Sequence, residues 1–321
     1  MFENIIKEIK MASSVIVAGH IMPDGDDVSS VSTMVCGLTK LGINAVGVID
    51  DEIPEYLQQF DFVKEYIRDF SCAEKNPSDL IIIVDASSPD RVGRVNTLFD
   101  MRRVIVLDHH STNSNYGNLN FVDSDYASSA QIVKDLLNEM ECPYDEKLAT
   151  MNLLGIATDT GFFKYSNTSS KVLRDAAELV DKGANLNYIT NKVLENKPIE
   201  NIMLFKDVID KMKFYNNNKV VASYVSVEML KKYGIQSKDT PPYVGDLRAL
   251  KGVEVAIIFN ESEDNIYHVS MRSKEFFNLT ETAVKYGGGG HVRAAGFSMK
   301  TDDIEKSMDD ICKEISEKMG D

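Results

Sequence analysis

Four short apolar runs, at residues 15–18, 45–49, 80–84 and 104–107, recur along the N-terminal third of the chain with helical patterns between several of them. That alternation predicts an α/β fold, built on a mostly parallel sheet flanked by helices. In open sheets of this kind ligands gather at the carboxyl ends of the strands. Three of the runs end on groups that bind metals or carry protons: His20 follows the first after Gly19, Asp85 follows the third directly, and Asp108, His109 and His110 follow the fourth. His291 lies in another candidate segment, so four of the five histidines stand where chemistry is expected.

Helical patterns follow at 128–140, 145–157 and 169–182, with a polar and aromatic interruption at 158–167. Ser169 has the character of an N-cap and Gly183 that of a helix stop. A helical stretch over 185–213, broken at Pro198, marks a change of layout. Beyond it, strands at 220–225, 253–260 and 266–272, with turn signals at 216–218 and 263–265, predict a smaller antiparallel α+β domain. The amphipathic stretch 302–319 reads as a packed surface helix.

The 321 residues exceed the usual extent of one core, which points to two domains. A hydrophobic share of 43% and a charged share of 26% are those of a globular protein. The net charge of -15 excludes a protein that coats long nucleic acid, since that mode depends on many Lys and Arg contacts to phosphate. Any nucleotide must be gripped locally. Residues 1–10 mix charges into a helical apolar pattern, unlike a signal peptide or a membrane span, so a cytoplasmic protein without membrane partners is expected. Cys36, Cys72, Cys142 and Cys312 form no Cys-x-x-Cys pair and read as reduced structural thiols.

Asp24 and Asp26 stand on the turn after His20, so three donors share one tight loop. A histidine near a loop is more commonly solvated or capping, but the surrounding Pro23, Asp24, Gly25 and Asp26 favour a ligand site. Asp85 ends an entirely apolar run, where an unpaired carboxylate is costly and calls for a cation; the plainer alternative is an N-cap for the turn at 87–91. Asp159, after the helix at 145–157, is a further and separate carboxylate. Imidazoles with many carboxylates and no thiolate suit Mn²⁺ or a similar ion better than structural zinc. The donors outnumber the needs of one ion, and two ions sharing a bridging carboxylate suit phosphoryl chemistry.

In the second domain Tyr267, Val269 and Met271 alternate with His268, Ser270 and Arg272, which gives one apolar and one polar strand face. Arg272 and Ser273 are candidates to hold a phosphate, whereas His268 reads as an ordinary residue of a solvated face. Gly287, Gly288, Gly289 and Gly290 precede His291. A helix cap needs a single glycine, so the run reads as a loop whose backbone N–H groups approach an anion, with His291 as an added donor. A flexible linker is the alternative.

Together these segments resemble the DHH/DHHA1 phosphoesterases, and among them the short two-domain members that degrade very short RNA and 3'-phosphoadenosine 5'-phosphate (pAp). The resemblance rests on HIMPDGDD at 20–27, VDAS at 84–87, DHH at 108–110, TDTGFFKYSNT at 158–168 and GGGGHVRAAGF at 287–297, in order over nearly the whole chain. It implies a DHH domain over 1–185, a helical linker over 186–200 and a DHHA1 domain with a mixed or antiparallel sheet over 201–321. It also implies that His20, Asp24 and Asp85 bind one metal while Asp26, Asp85, His109 and Asp159 bind another. Two Mn²⁺ ions, with Mg²⁺ or Co²⁺ as substitutes, would then share Asp85.

On the same comparison Asp108 would orient His109, and His110 would touch the scissile phosphate or assist proton transfer. Arg272, Gly289, Gly290 and His291 fall at the substrate end, joined by Ser273, Gly288, Lys164 and Arg91, with the cleft expected between the domains. Two positions depart from the common pattern. Ser29 replaces a frequent glycine and should be tolerated at a helix start; Lys164 replaces a frequent arginine and gives up bidentate phosphate geometry.

The expected activity is hydrolysis of short oligoribonucleotides and pAp by two-metal chemistry. Cyclic di-AMP or pApA is the alternative substrate within the same chemistry, disfavoured by the lack of a membrane-anchored sensor segment. A pyrophosphatase or polyphosphatase is disfavoured by the glycine segment, and an exonuclease on long DNA by length and charge. A silent nucleotide-binding module is disfavoured because every expected ligand is present. The resemblance is compatible with a homodimer.

Overall fold

The computed structural model describes residues 1–262 and 265–320. Of the expected turn signal at 263–265, Glu263 and Asp264 lie outside the described residues, as does Asp321. The chain divides into two compact units, Met1–Asn196 and Lys197–Asp321. That boundary falls inside the expected linker, although the helix Leu186–Val193 belongs to the first unit, whose core it enters through Ile189.

The first unit is built on strands β1 (Val15–Ala18), β2 (Ala45–Val48), β3 (Ile67–Arg68), β4 (Leu80–Val84), β5 (Arg103–Asp108) and β6 (Leu119–Val122), all parallel, in the order β3-β2-β1-β4-β5-β6. The apolar runs are buried on both faces. Val15, Val17, Ile82, Val84 and Leu107 pack under the helices Gly25–Lys40, Ser129–Glu139 and Glu146–Asp159. Ile16, Ala18, Ile81, Ile83 and Val106 pack on the other side against the helix Phe70–Lys75 and the 3-10 segment Pro89–Met101. β3 has two residues and β6 is half exposed, which is why neither stands out as an apolar run.

This strand order reverses direction between β1 and β4, so the crevice for a ligand opens at their carboxyl ends. Ala18 pairs with Ile83, and Val84 with Leu107. By that register His20, Asp85 and Asp108 leave three neighbouring strands at one level.

The second unit holds β7 (Lys213–Tyr215), β8 (Val220–Val225), β9 (Val255–Glu261), β10 (Ile266–Ser273), β11 (Gly289–His291) and β12 (Ala294–Lys300), ordered β11-β12-β10-β9-β8-β7. The sheet is mixed. β8 and β9 run parallel, correcting the antiparallel expectation for this pair, because the long connection between them holds the helices Val227–Tyr233 and Val244–Arg248 and acts as a crossover. The C-terminal helix Ile304–Met319 covers one face with Met308, Ile311, Cys312 and Ile315. Among the described residues no helix is long and apolar enough to cross a membrane.

Candidate metal centre

His20 is buried at the end of β1. Its Nδ1 lies 2.8 Å from the carbonyl of Ile21, and in the tautomer that donates there the Nε2 lone pair faces Asp85 Oδ2 at 3.6 Å and Asp24 Oδ1 at 4.0 Å. Arg91 brings a guanidinium nitrogen to 3.2 Å from the same Nδ1, so this candidate substrate residue stands against His20. Asp24 caps the helix Gly25–Lys40, accepting from the backbone N–H groups of Asp26 and Asp27.

Across Asp85 stands a second group. His109 Nε2 is 3.4 Å from Asp85 Oδ1, 3.3 Å from Asp159 Oδ2 and 3.9 Å from Asp26 Oδ2. Asp85 therefore turns one oxygen to each group, and it does so from a left-handed backbone (φ 59°), a conformation that Asp tolerates better than most residues. Met22, Phe162 and Phe163, close in sequence to these candidate donors, also have positive φ. Unusual backbone of this kind concentrates at functional sites.

Helix ends supply the remaining order. Asp26 Oδ2 accepts the N–H of Ser129 at 2.6 Å and Oδ1 that of Ala130 at 2.9 Å, so the carboxylate sits on the positive end of the helix Ser129–Glu139. The Ser129 hydroxyl donates to Asp85 Oδ1 at 2.9 Å. Ser29 is buried between two helices: its hydroxyl donates to the Met151 carbonyl and accepts from Gly155 N–H, which binds Asp26's helix to the one that ends at Asp159. The serine here thus ties the two helices together.

Asp108 is fully buried and holds both histidines that follow it. Its Oδ1 accepts the backbone N–H of His109 at 2.8 Å and faces Nδ1 of the His110 imidazole at 2.7 Å. Lys164 is exposed on the segment after Asp159.

Burial lowers the basicity of His20, yet Asp27, the bond to Asp85 and the charge of Asp24 together raise it to about 10. For His109 burial is likewise outweighed, by Asp159, Asp85 and Asp26, and for His110 by its bond to Asp108 and the charge of Asp85. Burial pushes Asp26 well above the carboxylate range, helped by Asp85 and Asp159. Asp159 is pushed up to about 7 by burial against the pull of His109, and Asp27 to about 7 by burial against the pull of His20. Asp85 goes the other way: burial is overcome by bonds to His109 and His20. Acids held up and bases held up around one centre are a cluster short of positive charge.

A divalent cation fits that deficit. His20, Asp24 and Asp85 form one set of donors within 4.8 Å of one another, and Asp26, His109 and Asp159 form another. Nitrogen and oxygen donors without a thiolate suit such a cation.

In the second unit the outcome is mixed. Arg272 lies half-buried on the polar face of β10, while Ser273 alternates to the opposite face and is fully buried. Its hydroxyl lies on the other face of the strand from the Arg272 side chain. His268 pairs with the Ser298 hydroxyl at 2.9 Å, as an ordinary strand-face residue would. The glycine segment is not a free loop: Gly289–His291 is an edge strand paired with β12. A Cβ on Gly288 would stand 2.0 Å from the Gly296 carbonyl, whereas Gly289 faces open space, so only part of the run is spared for a ligand.

Sequence reasoning misses Ser129 and Asp27. Ser129 belongs to a recognisable helix start, but nothing in the sequence says which carboxylates meet it. Asp27 ends the HIMPDGDD segment, and only its neighbours there have the spacing of ligands.

The DHH family N-terminal domain matches residues 14–156, and the DHHA1 domain matches residues 217–321. The chain is 31% identical over 303 residues to the bifunctional oligoribonuclease and PAP phosphatase NrnA of Thermus thermophilus, covering 94% of this chain and 89% of that protein. It is 27% identical over 334 residues to the Bacillus subtilis protein of the same name, covering 98% and 99%. The fold also matches the solved structure of an exopolyphosphatase-related protein from Bacteroides fragilis, 20% identical with a TM-score of 0.88, over 99% of this chain and 95% of that one. The ligand pattern at the sheet's switch point and these matches along both units lead to one conclusion: the chain belongs to the DHH/DHHA1 family of metal-dependent phosphoesterases.

Proposed function

We propose that the chain hydrolyses phosphate esters at the ends of very short RNAs, and of pAp, using two divalent cations, Mn²⁺ in the first instance, held by His20, Asp24 and Asp85 and by Asp26, Asp85, His109 and Asp159. The observation that carries this reading is Asp85, whose two oxygens face separate imidazole and carboxylate groups. The names of the Thermus thermophilus and Bacillus subtilis relatives support the substrate class. Bound cations would supply positive charge for the phosphoryl oxygens and acidify a water.

The protein's own groups do the rest. Ester hydrolysis leaves a hydroxyl oxygen on phosphorus and a proton on the departing oxygen. His110 is suited to deliver that proton from Nε2, because Asp108 engages Nδ1 and raises its basicity. Asp108 is then a positioning residue for the acid. Ser129 and the N-terminus of its helix hold Asp26 and Asp85 in place, so little reorganisation accompanies the reaction. In the second unit Arg272 and the open backbone at Gly289 are the proposed phosphate and nucleotide contacts.

The test replaces Asp85 with Asn, which leaves one carboxylate oxygen's worth of ligand where two are needed. With Mn²⁺ and a panel of dinucleotides, pAp and cyclic di-AMP, kcat/KM should fall by roughly 10²–10³ or more on every substrate that the parent cleaves. Activity within about tenfold of the parent would remove Asp85 from the bridging role.

A further inference from the structure

Asp27 belongs to neither donor group, yet it is fully buried beside them. It is the third residue of the helix Gly25–Lys40, where an acidic side chain ordinarily folds back on the N-cap N–H. Here it reaches further. Asp27 Oδ1 accepts the backbone N–H of His20 at 2.9 Å, while Asp24 alone caps the helix. Asp27 Oδ2 is buried and makes no hydrogen bond among the described residues. A buried carboxylate with one oxygen unused is unfavourable, so simple packing does not explain it.

The carboxylate lies flat against Gly19. A Cβ at position 19 would stand 1.8 Å from Oδ1 and 2.7 Å from Oδ2, closer than any side chain permits. Gly19 in turn donates its N–H to the Val48 carbonyl at 3.2 Å, so the backbone entering His20 is held by β2 on one side and by Asp27 on the other. With Nδ1 at 2.8 Å from the Ile21 carbonyl, the ring has one direction left for Nε2, toward Asp24 and Asp85.

We propose that Gly19 and Asp27 form an interlock, in which Asp27 is a positioning residue that fixes the His20 backbone and thereby aims Nε2 at its cation. The absence of a side chain at 19 and the presence of a carboxylate at 27 are one feature, and neither is useful without the other. This rests on the reading that His20 is a metal ligand.

The test is Mn²⁺ binding to the full-length chain, by calorimetry and by electron paramagnetic resonance, with circular dichroism as the check on folding. The parent should bind two ions. Asp27→Ala should weaken one binding event by roughly 10- to 100-fold and leave the other within about threefold, the range for losing a partner that orients a ligand. Asp27→Asn keeps the Oδ1 acceptor and should stay within about threefold of the parent. Gly19→Ala should reproduce the Asp27→Ala defect by displacing the carboxylate, and the double variant should be no weaker than either single one.

Equal weakening of both events in Asp27→Ala, or additive losses in the double variant, would overturn the interlock. So would an Asp27→Asn variant as weak as Asp27→Ala. If Asp27→Ala does not fold, Gly19→Ala and Asp27→Asn carry the same comparison. A parent that binds no Mn²⁺ would instead overturn the metal reading itself.

Discussion

Removing divalent cations should make the stability of this chain strongly dependent on protons, because protons then hold the cluster together. His20 rises from an ordinary 6.5 to about 10 in the folded chain, and at 1.36 kcal/mol per pH unit that corresponds to on the order of 5 kcal/mol. The sign follows from the direction. A base held above its unfolded value stabilises fully below 6.5 and loses that contribution as pH rises toward 10. Asp27 and Asp159, raised from 3.8 to about 7, act the same way: their contribution is present below 3.8 and is lost as pH rises through 7. Above about pH 4 the metal-free chain should therefore lose stability as pH rises, while below it the carboxylates held down by their partners, Asp85, Glu178 and Glu314 among them, act in the opposite direction. The separate contributions do not add in full, since His20 interacts with Asp27.

Cations on the same donors must displace these protons. Near neutral pH His20 carries a proton and Asp159 is about half protonated, while the shifts of His109 and Asp26 are both toward the protonated form. Filling both groups should release more than one proton, so the overall association constant should climb by more than about tenfold from pH 6.5 to 7.5. Calorimetric Mn²⁺ titrations in two buffers of different ionisation enthalpy count the protons directly. Melting curves with and without Mn²⁺ give the stability. Release of less than one proton, or a metal-induced gain in Tm that is the same at pH 6 and pH 8, would refute the ligand assignment.

Other perturbations separate structure from function. Glu254 is buried and accepts the backbone N–H groups of Glu275, Phe276 and Phe277, so Glu254→Ala should cost about 2–4 kcal/mol in urea unfolding, with Gln losing less; a cost below about 0.5 kcal/mol would contradict this. Gly289→Ala enters open space and should keep its Tm while raising KM for dinucleotides, whereas Gly290→Ala meets the Ala294 carbonyl at 2.5 Å with φ 135° and should lose about 2–4 kcal/mol. Equal behaviour of the two would deny Gly289 a special place. Lys134 is buried, with Asp175 at 3.2 Å and Glu178 at 2.5 Å, and Lys134→Ala should destabilise by about 3–5 kcal/mol, measured by denaturant melts without any change in Mn²⁺ affinity.

Much of the first unit is legible in the sequence because its information is local. A run such as Leu80–Val84 is apolar on both faces, and a residue placed just after it has no choice but to emerge at the strand end. Hence the chain's own pattern assigns Asp85, His109 and His20 to one end of a parallel sheet. The second unit is less legible where pairing depends on distant chain. Nothing within Gly287 to His291 tells that Gly289 will pair with Gly296, and the parallel match of β8 with β9 is set by a long connection rather than by either strand. The faces of β10, by contrast, are legible locally: the alternation that puts Arg272 on the polar face puts Ser273 on the other.

What the sequence does not show is how so many acids tolerate one another. Asp26, Asp27 and Asp85 are all buried, and their mutual repulsion in a low-dielectric interior would expel at least one if only side chains were considered. The fold answers with helix starts. Asp24 and Asp26 occupy the cap and first turn of the helix Gly25–Lys40, and Asp26 also meets the N-terminus of Ser129–Glu139, so positive helix ends and their free N–H groups face the carboxylates. These donors lie about a hundred residues apart in sequence and converge only because both helices cover the same face of the sheet. The helices hold the acids in position, and the remaining negative charge is what selects a cation.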